Sequence, residues 1–556
     1  MDYLPVETIQ QIFSCLTDPK DTINLARCNR LLYRIGTDDS LWRRHLTSWN
    51  YSNETLPTLY QYNAPPVVRS VDARETFRRR KTLDRRMELC ILTIVENPHG
   101  RLKYIEAISD YFMDAADAVR AFRLRNGRIN KNYGIDYYCC LLERHISRKL
   151  GIHILQKMAS RDKNPVDSCD ALFALYAIGS FHRSDGLDFH LPSTLNELQQ
   201  AVLDLAGSDW EDLPVHDTTQ SPEEDRTDKL SIIMQALTNA GIRPASGPGY
   251  YDLRNSFLYC AMKEKRPTIP ITMVAIFVAL CTRLGLSSSA IGFPGQVLAA
   301  VKDGDSTVYV APYEGGKCYL RAELVNRLHS YGMPDVDAYL SPCTTEDLCI
   351  RSSRNILNCI ERGTDMHTLD GLYAALVTLR LMGHPLPLAE DQFMTLITLH
   401  YPYDIGIWER LHIPEHQELI RQARLEDVTV RRPKRRSEQP VEIRHRVGVV
   451  FRHALFNYTA VITGWDHYCD QSPEWIRQMR VNLLERKTKQ PFYNVLVSDG
   501  SERYVAEDNV LPITDNESPV FQSLADLEII GKYFQSSVDN QFVLSSDLMQ
   551  AYPDDH

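Results

Sequence analysis

The chain has 556 residues, with 62 Lys or Arg, 72 Asp or Glu and a formal net charge of −10. Hydrophobic residues make up 44% and charged residues 24%, ordinary globular values that exclude a wholly disordered chain, a collagen-like repeat and a coiled-coil rod. At about 100–200 residues per domain the length predicts three or four domains. The excess of acidic residues disfavours a protein whose main function is to bind nucleic acid.

The sequence predicts an intracellular protein, cytoplasmic or nuclear or both. Its longest uncharged stretch, residues 267–282, is shorter than the ~20 apolar residues that cross a bilayer, and the first residues do not have the pattern of a secretory signal. The 13 cysteines are scattered without a C-x-x-C pair, which favours reduced thiols over disulfides or a zinc ribbon. No metal site and no cofactor are predicted.

Residues 1–50 have the pattern of three short amphipathic helices. Pro5 lies in the first turn of the first helix, where its missing N–H costs little, and apolar residues follow at the spacing of one helix face. Asp21 is predicted to cap the second helix. Because three short helices bury little core alone, we expect an apolar face to remain for a partner.

A set of residues in this segment stands at characteristic separations: Leu4, Pro5, Glu7, Ile9, Ile12, Leu16, Leu25, Cys28 and Leu41–Trp42. The set resembles the F-box, the motif that docks onto the Skp-type adaptor of SCF ubiquitin ligases. The resemblance implies adaptor contacts from Leu4, Pro5, Ile9, Ile12, Leu16, Leu25, Cys28 and Trp42. The alternative is that these helices are only a cap on the following domain.

Two basic runs, residues 78–86 and 431–436, have open interpretations. The first fits a nuclear-targeting or anion-binding patch, although a solvated helix face is the commoner explanation of such a run. The second contains Pro433 and fits a nuclear localisation signal or a solvated hinge equally well.

The middle of the chain, residues 165–360, contains five motifs in order: Tyr250–Leu258, Ile269–Thr272, Arg283–Leu286, Phe293–Gln296 and Pro312–Gly316. The series resembles the SirB-type transglutaminase-like family, which has a papain-related α+β fold. Pro270 and Gly285 favour the start and end of a buried helix, and strands are predicted over residues 288–301 and 306–313.

The catalytic residues of that family are not found where they are expected. A transglutaminase-type site needs a Cys at a helix N-terminus, followed by His and Asp on strands. The corresponding positions hold Thr272, Gln296 and Ala311. Because Gln has no titratable group near neutral pH, we predict a catalytically inactive domain. The enzyme alternative, a thiol hydrolase or transglutaminase-like activity, would need Cys260 and a histidine from the segment 329–400.

Short β-branched and aromatic runs separated by turns predict a small antiparallel β-barrel beyond residue 440. Its defining residues are Gly448, Arg452–His453, Tyr458, Val461–Ile462, Gly464–Asp466, Glu474–Trp475, Gln490–Tyr493 and Tyr504–Asn509. They resemble the YccV/HspQ-like family, also called the hemimethylated-DNA-binding domain. Five residues are candidates for a ligand surface, with barrel core as the alternative: His453, Trp465, Asp466, Trp475 and Tyr493.

The order of the three modules resembles that of the F-box only protein 21 family and predicts a multidomain α+β protein. The predicted domains are 1–50 (F-box), 51–160 (helical connector), 161–425 (transglutaminase-like domain with a helical extension), 426–440 (basic linker), 441–515 (YccV/HspQ-like domain) and 516–556 (acidic tail). The resemblance implies a non-catalytic substrate receptor that binds a Skp-type adaptor and a cullin, with an unknown protein substrate and no membrane. A DNA-binding protein acting through the barrel is the second alternative, in which DNA binding would be weak.

Overall fold

A computed structural model describes residues 4–46, 72–127, 130–159, 168–182, 191–217, 228–362, 368–411, 416–438, 440–513 and 518–555. The chain divides into two compact units. One consists of Met1–Leu46, Val68–His145 and Pro402–His556, and the other of Thr47–Val67 and Ile146–Tyr401. Residues 51–71 of the predicted connector lie outside the described residues. The multidomain α+β class is confirmed.

The first unit begins with four short helices, α1–α4: Val6–Cys15, Pro19–Ala26, Arg30–Gly36 and Asp39–Leu46. The sequence predicted three helices. The structure has four, because the second predicted helix is broken into α2 and α3. The Asn29 side chain accepts a hydrogen bond from the Leu32 backbone N–H at 2.8 Å and caps a new helix there. The cap of α2 is Asp18, which accepts from Lys20 N at 2.8 Å, and not Asp21.

Helices α5–α8 follow: Ala73–Glu96, Arg101–Ser109, Phe112–Asn126 and Tyr133–Ala159, of which α8 continues beyond His145 into the second unit. The basic run 78–86 lies within α5, and Arg80 is fully buried rather than solvated. Its guanidinium bonds Asp84 at 2.8 Å and reaches Asp114 at 3.4 Å, so this charge is neutralised inside the unit. Burial raises the pKa of the neighbouring Asp117 to about 6, against the opposing effect of Arg80.

The second unit contains helices α9–α13: Ser168–Gly179, Leu191–Ala206, Lys229–Asn239, Leu258–Met262 and Pro270–Arg283. Its antiparallel sheet has the order β1-β2-β3-β4: Ser288–Ile291, Leu298–Asp303, Ser306–Ala311 and Lys317–Tyr319. Helix α13 begins at Pro270 as predicted and is buried from Ile271 to Cys281. It packs against β1 and β2, and helices α14–α18 complete the unit: Arg321–Ser330, Val336–Leu340, Thr345–Arg362, Thr368–Leu381 and Glu390–His400.

Two helices that the sequence placed in the extension of the middle domain, α19 (Ile405–Arg410) and α20 (Gln417–Val428), belong to the first unit. The Asp427 carboxylate accepts a hydrogen bond from the backbone N–H of Arg101 at 3.1 Å. Arg424 also bonds Glu106 at 2.6 Å. A carboxylate therefore caps the first turn of α6 from a distant part of the chain.

The C-terminal part of the first unit contains a five-stranded antiparallel sheet in the order β8-β7-β6-β5-β9. Strands β5–β9 are Val450–His453, Thr459–Asp466, Phe492–Val497, Glu502–Ala506 and Val510–Pro512, with helix α21 (Pro473–Gln478) between β6 and β7. The structure thus has a sheet whose edges are β8 and β9 where the sequence predicted a small barrel.

The predicted acidic tail is folded over residues 518–555. It contains α22 (Ser518–Ala525), α23 (Ile530–Tyr533), β10 (Phe534–Val538), β11 (Gln541–Leu544) and α24 (Ser546–Ala551). Phe534 and Phe542 share one hydrophobic core with Trp465 of the sheet. The acidic residues Asp526 and Asp539 are exposed, and the alternation of Phe542 and Leu544 was the signal of a strand.

The Asp555 carboxylate closes this core. It is buried and accepts hydrogen bonds from the Arg436 guanidinium at 2.7 Å, the Val447 backbone N–H at 2.8 Å and the Trp465 indole N–H at 3.0 Å. One side chain near the end of the chain therefore joins the basic run, the start of the sheet and its central tryptophan.

In the described part of the chain, no helix has both the length and the apolar character that a membrane crossing requires.

We expect Asp555→Ala to lower the free energy of unfolding by about 3 kcal/mol, because the buried N–H groups of Val447 and Trp465 lose their acceptor and the partly exposed Arg436 cation loses its partner. Asp554→Ala is the matched control, since this carboxylate pairs with a half-exposed Arg435 and should lower the stability much less. Urea denaturation, with hydrogen exchange of the strand amides, measures both. Equal losses for the two variants would contradict the assigned role of Asp555.

Candidate functional site

The first candidate surface lies at the start of α1. Leu4 and Val6 are 40% and 38% exposed, and Pro5 between them is also exposed. Further along the helix, Ile9 and Phe13 are fully buried. Helix α1 therefore packs with one face and presents apolar side chains at its N-terminal end.

The eight predicted adaptor residues fall into three groups. Leu4, Pro5 and Cys28 are exposed, and Ile12, Leu16 and Leu25 are half-buried. Ile9 and Trp42 are in the core of the first unit, so in this fold these two support the surface rather than form it.

Polar and close-packed contacts hold the four helices together. The Arg44 guanidinium donates to the backbone carbonyls of Ser14 and Leu16 at the C-terminal end of α1, where a cation is favoured by the helix dipole. The Trp42 indole N–H donates to Gly36 O at 2.9 Å. A Cβ on Gly36 would lie 2.6 Å from the Ala26 Cβ, so only glycine permits this helix contact. Sequence patterns did not indicate Arg44 or Gly36.

The second candidate region is the set of three expected triad positions. Thr272 and Ala311 are buried, and the Gln296 amide donates to Glu314 at 2.7 Å. Burial opposes ionisation of Glu314, but hydrogen bonds from Tyr319 and Gln296 outweigh it and lower the pKa of the carboxyl group. At these positions the side chains are a hydroxyl, an amide and a methyl group, none of which is a thiol, imidazole or carboxylate.

Of the five ligand candidates in the sheet domain, Trp465 and Tyr493 are fully buried. The Tyr493 hydroxyl donates to Glu507 at 2.6 Å, and burial together with this bond raises the pKa of Tyr493 well above its usual range. Asp466 accepts from Tyr504 at 2.8 Å and pairs with Lys434. These side chains are satisfied within the fold.

The remaining two candidates differ. Trp475 is half-buried and packs edge-on against Tyr504, with ring centroids 5.8 Å apart. His453 is buried, and its Nδ1 accepts the backbone N–H groups of Leu455 at 3.1 Å and Phe456 at 3.2 Å. It therefore shapes the β5–β6 turn, where Leu455 and Phe456 are 70% and 72% exposed.

The basic run 431–436 is tied to the sheet domain by ion pairs. Lys434 pairs with Asp466, Arg435 bonds Asp554 at 2.6 Å and Arg436 bonds Asp555 at 2.7 Å. Arg432 contacts Glu438 at 3.1 Å. These cations are largely compensated within the protein, which weakens the electrostatic attraction of this segment for an anionic partner.

The described residues contain no group of three His, Cys, Asp or Glu side chains that could hold a metal ion.

Three family models match the chain. An F-box-like model matches residues 1–48, a transglutaminase-like superfamily model residues 194–354, and a model described as hemimethylated DNA-binding protein YccV like residues 443–541. The predicted resemblance is confirmed. The third match continues past residue 515 into β11, in agreement with the folded C-terminal segment.

Among known proteins, the F-box only protein 21 of Homo sapiens and that of Mus musculus are each 27% identical over 338 residues, 55% of this chain and 52% of the relative. That of Pongo abelii is 26% identical over 332 residues. A UPF0162 protein of Xylella fastidiosa (strain 9a5c) is 30% identical over 113 residues, 19% of this chain and 40% of that protein. The chain spans about half the length of the F-box only protein 21 relatives. No solved structure matches significantly.

We expect the β5–β6 turn to loosen in mild acid. Burial and the charge of Arg503 lower the pKa of His453. The contribution of neutral His453 to stability is therefore complete above the unfolded-state pKa of about 6.5. This contribution is lost as the pH falls from that value through the lower folded-state pKa. Between about pH 7.5 and about pH 5.5, the amides of Leu455 and Phe456 should lose protection from hydrogen exchange, after correction for intrinsic rates.

The turn between β7 and β8 is the internal control. Asp499 accepts the Ser501 N–H at 2.9 Å, and hydrogen bonds from Ser501 lower the pKa of this carboxyl group, so it stays ionised over the same range. Equal loss of protection in both turns would contradict the role given to His453.

Proposed function

We propose that the chain is the substrate-recognition subunit of an SCF-type E3 ubiquitin ligase. The F-box binds a Skp-type adaptor and, through it, a cullin, and the downstream domains capture the target protein. Ubiquitin transfer is then carried out by the associated ubiquitin-conjugating enzyme, and this chain contributes proximity. The observation that carries the proposal is the exposed apolar end of α1 on a segment that matches an F-box model over residues 1–48.

The exposure pattern supports adaptor binding through a small set of side chains. Leu4, Pro5 and Cys28 are accessible without rearrangement, and half-buried Leu16 and Leu25 adjoin the F-box core. A few closely packed side chains carry most of the affinity of an interface. The proposed complex forms inside the cell, in the cytoplasm, the nucleus or both.

We propose that the transglutaminase-like domain is not catalytic at the family's usual positions. Thr272 is a weak nucleophile whose buried hydroxyl has no hydrogen-bond partner among the described residues. Gln296 is engaged with Glu314, and Ala311 carries no functional group. The relatives named F-box only protein support a receptor rather than an enzyme.

DNA binding is the second candidate function, and the match to a family described as hemimethylated DNA-binding favours it. The ion pairs of the run 431–436 count against it, because a cation held by a carboxylate must break that pair to reach a phosphate. We rank it below the receptor function.

The double substitution Leu4→Ala and Pro5→Ala should abolish co-purification with a Skp-type adaptor. Loss of docked apolar side chains is expected to weaken binding about thirtyfold or more. Leu89→Ala is the control, since Leu89 is 67% exposed on α5 of the same unit and should leave adaptor binding unchanged. Thermal unfolding checks that both variants are folded, and undiminished adaptor binding by the double variant would refute the F-box role.

The full-length protein should bind hemimethylated duplex DNA only weakly, with no preference over unmethylated duplex. A reader with several phosphate contacts loses ~10³-fold in affinity between low and moderate salt, and we expect the binding seen here to disappear in that range. Fluorescence anisotropy at two salt concentrations measures it. The full chain is required, because residues 518–555 share the core of the sheet domain. Tight methylation-dependent binding retained at moderate salt would reverse the ranking.

A further inference from the structure

A thiol, an imidazole and a carboxylate lie together in the second unit, none of them at an expected triad position. The Cys318 Sγ lies 3.7 Å from the His216 Nδ1, which lies 3.1 Å from the Asp228 Oδ2. Cys318 is half-buried, the His216 side chain is 11% exposed and the Asp228 side chain is fully buried. A partly accessible thiol therefore contacts an imidazole that a buried carboxylate holds.

Local structure fixes the carboxylate. Asp228 caps α11 by accepting the Ser231 N–H at 2.7 Å, and it also accepts the Asp217 N–H at 3.0 Å. With its position set by two backbone donors, it fixes the orientation of His216 as well.

Close packing brings the thiol to the same place. The turn before β4 contains Gly316 with φ +84°, and a Cβ there would lie 2.7 Å from the Met234 Cγ on α11. Glycine thus allows this turn to rest on α11, and Cys318 follows two residues later on β4. Its Sγ also lies 3.5 Å from the Gly316 carbonyl oxygen, which accepts from the protonated thiol.

His216 is the neighbour that can stabilise the thiolate of Cys318, whereas the Gly316 carbonyl oxygen stabilises the thiol. The hydrogen bond to Asp228 assigns the Nδ1–H tautomer to His216, and the sulfur lies 3.7 Å from the same nitrogen. A neighbouring imidazole donor stabilises a thiolate, which is the nucleophilic form of cysteine. The Asp228 charge opposes this effect, but it is engaged by the imidazole and two backbone N–H groups. Elsewhere in the unit, burial raises the pKa of the Cys343 thiol to about 11 and of the Cys349 thiol to about 12.

We propose that Cys318 is a peroxide-sensitive thiol of this protein, with His216 as its positioning residue and hydroperoxides as the reacting class. The thiolate sulfur attacks one peroxide oxygen, so that an S–O bond forms and the O–O bond breaks. The hydroxide that leaves takes up a proton and becomes water when the reagent is hydrogen peroxide. Sulfur is oxidised by two electrons to the sulfenic acid, and the peroxide is reduced. This site is independent of adaptor binding.

The test treats the full-length protein with hydrogen peroxide and traps sulfenic acid with dimedone, followed by peptide mass spectrometry. Cys318 should be modified faster than Cys469, a half-buried cysteine whose pKa burial raises. It should also be modified faster than Cys15 and Cys28, which are exposed. If accessibility alone set the rate, Cys15 and Cys28 would be modified faster than Cys318.

The role of the imidazole is tested with two variants. His216→Phe keeps a ring but removes the donor, and it should slow alkylation of Cys318 by iodoacetamide about tenfold. His216→Asn keeps a side-chain N–H donor and should restore part of the rate. An unchanged rate in a folded His216→Phe protein would overturn the proposal. If that variant does not fold, slower modification of Cys318 than of Cys15 and Cys469 in the native protein would overturn it equally.

Discussion

The Asp555 carboxylate fixes what the C-terminal sheet domain can offer to a partner. It is buried and bonded to Arg436, Val447 and Trp465, which precede it by 119, 108 and 90 positions. A buried carboxylate needs these donors, so the basic run and the end of the chain must fold together with the sheet. The same bonds turn Trp465 inward and pair the partly exposed Arg436 cation, so this tryptophan and this cation are engaged within the domain.

In the F-box segment, by contrast, internal contacts leave two apolar side chains exposed. The Arg44 guanidinium satisfies carbonyls at the end of α1, and Gly36 lets α3 approach α1 and α2 closely. Four helices too short to be stable alone are held by these contacts and by the Trp42 ring, which lies 5.0 Å from that of Phe77 on α5. Because the internal contacts are made without Leu4 and Pro5, these two side chains remain available.

Local patterns predicted much of this fold, and long-range contacts account for the differences. The helix from Pro270 and the strands near residues 298 and 306 follow from periodicity and turn residues. The break at Asn29 depends on one side-chain hydrogen bond, which spacing alone does not reveal. Strands β10 and β11 were not predicted, because the acidic composition of the segment was given more weight than the alternation of Phe542 and Leu544. The burial of Trp465 was not predictable from local patterns, because it depends on the Asp555 carboxylate 90 positions away.

The cluster of Cys318, His216 and Asp228 could not be predicted from local sequence patterns either. Its geometry also limits the reactions that the thiol can perform. Cys318 and His216 are 102 positions apart, so no motif links them, and the resemblance directed attention to Thr272 and Gln296 instead. In the family's arrangement the thiol lies at a helix N-terminus, where the dipole stabilises the thiolate. Cys318 lies on a strand beside an imidazole, with a carboxylate nearby. A moderately activated thiol of this kind suits a small, strong electrophile such as a peroxide, whereas acyl transfer would also need donors for an oxyanion. Reactivity at Cys318 is therefore compatible with a receptor that has no transglutaminase activity.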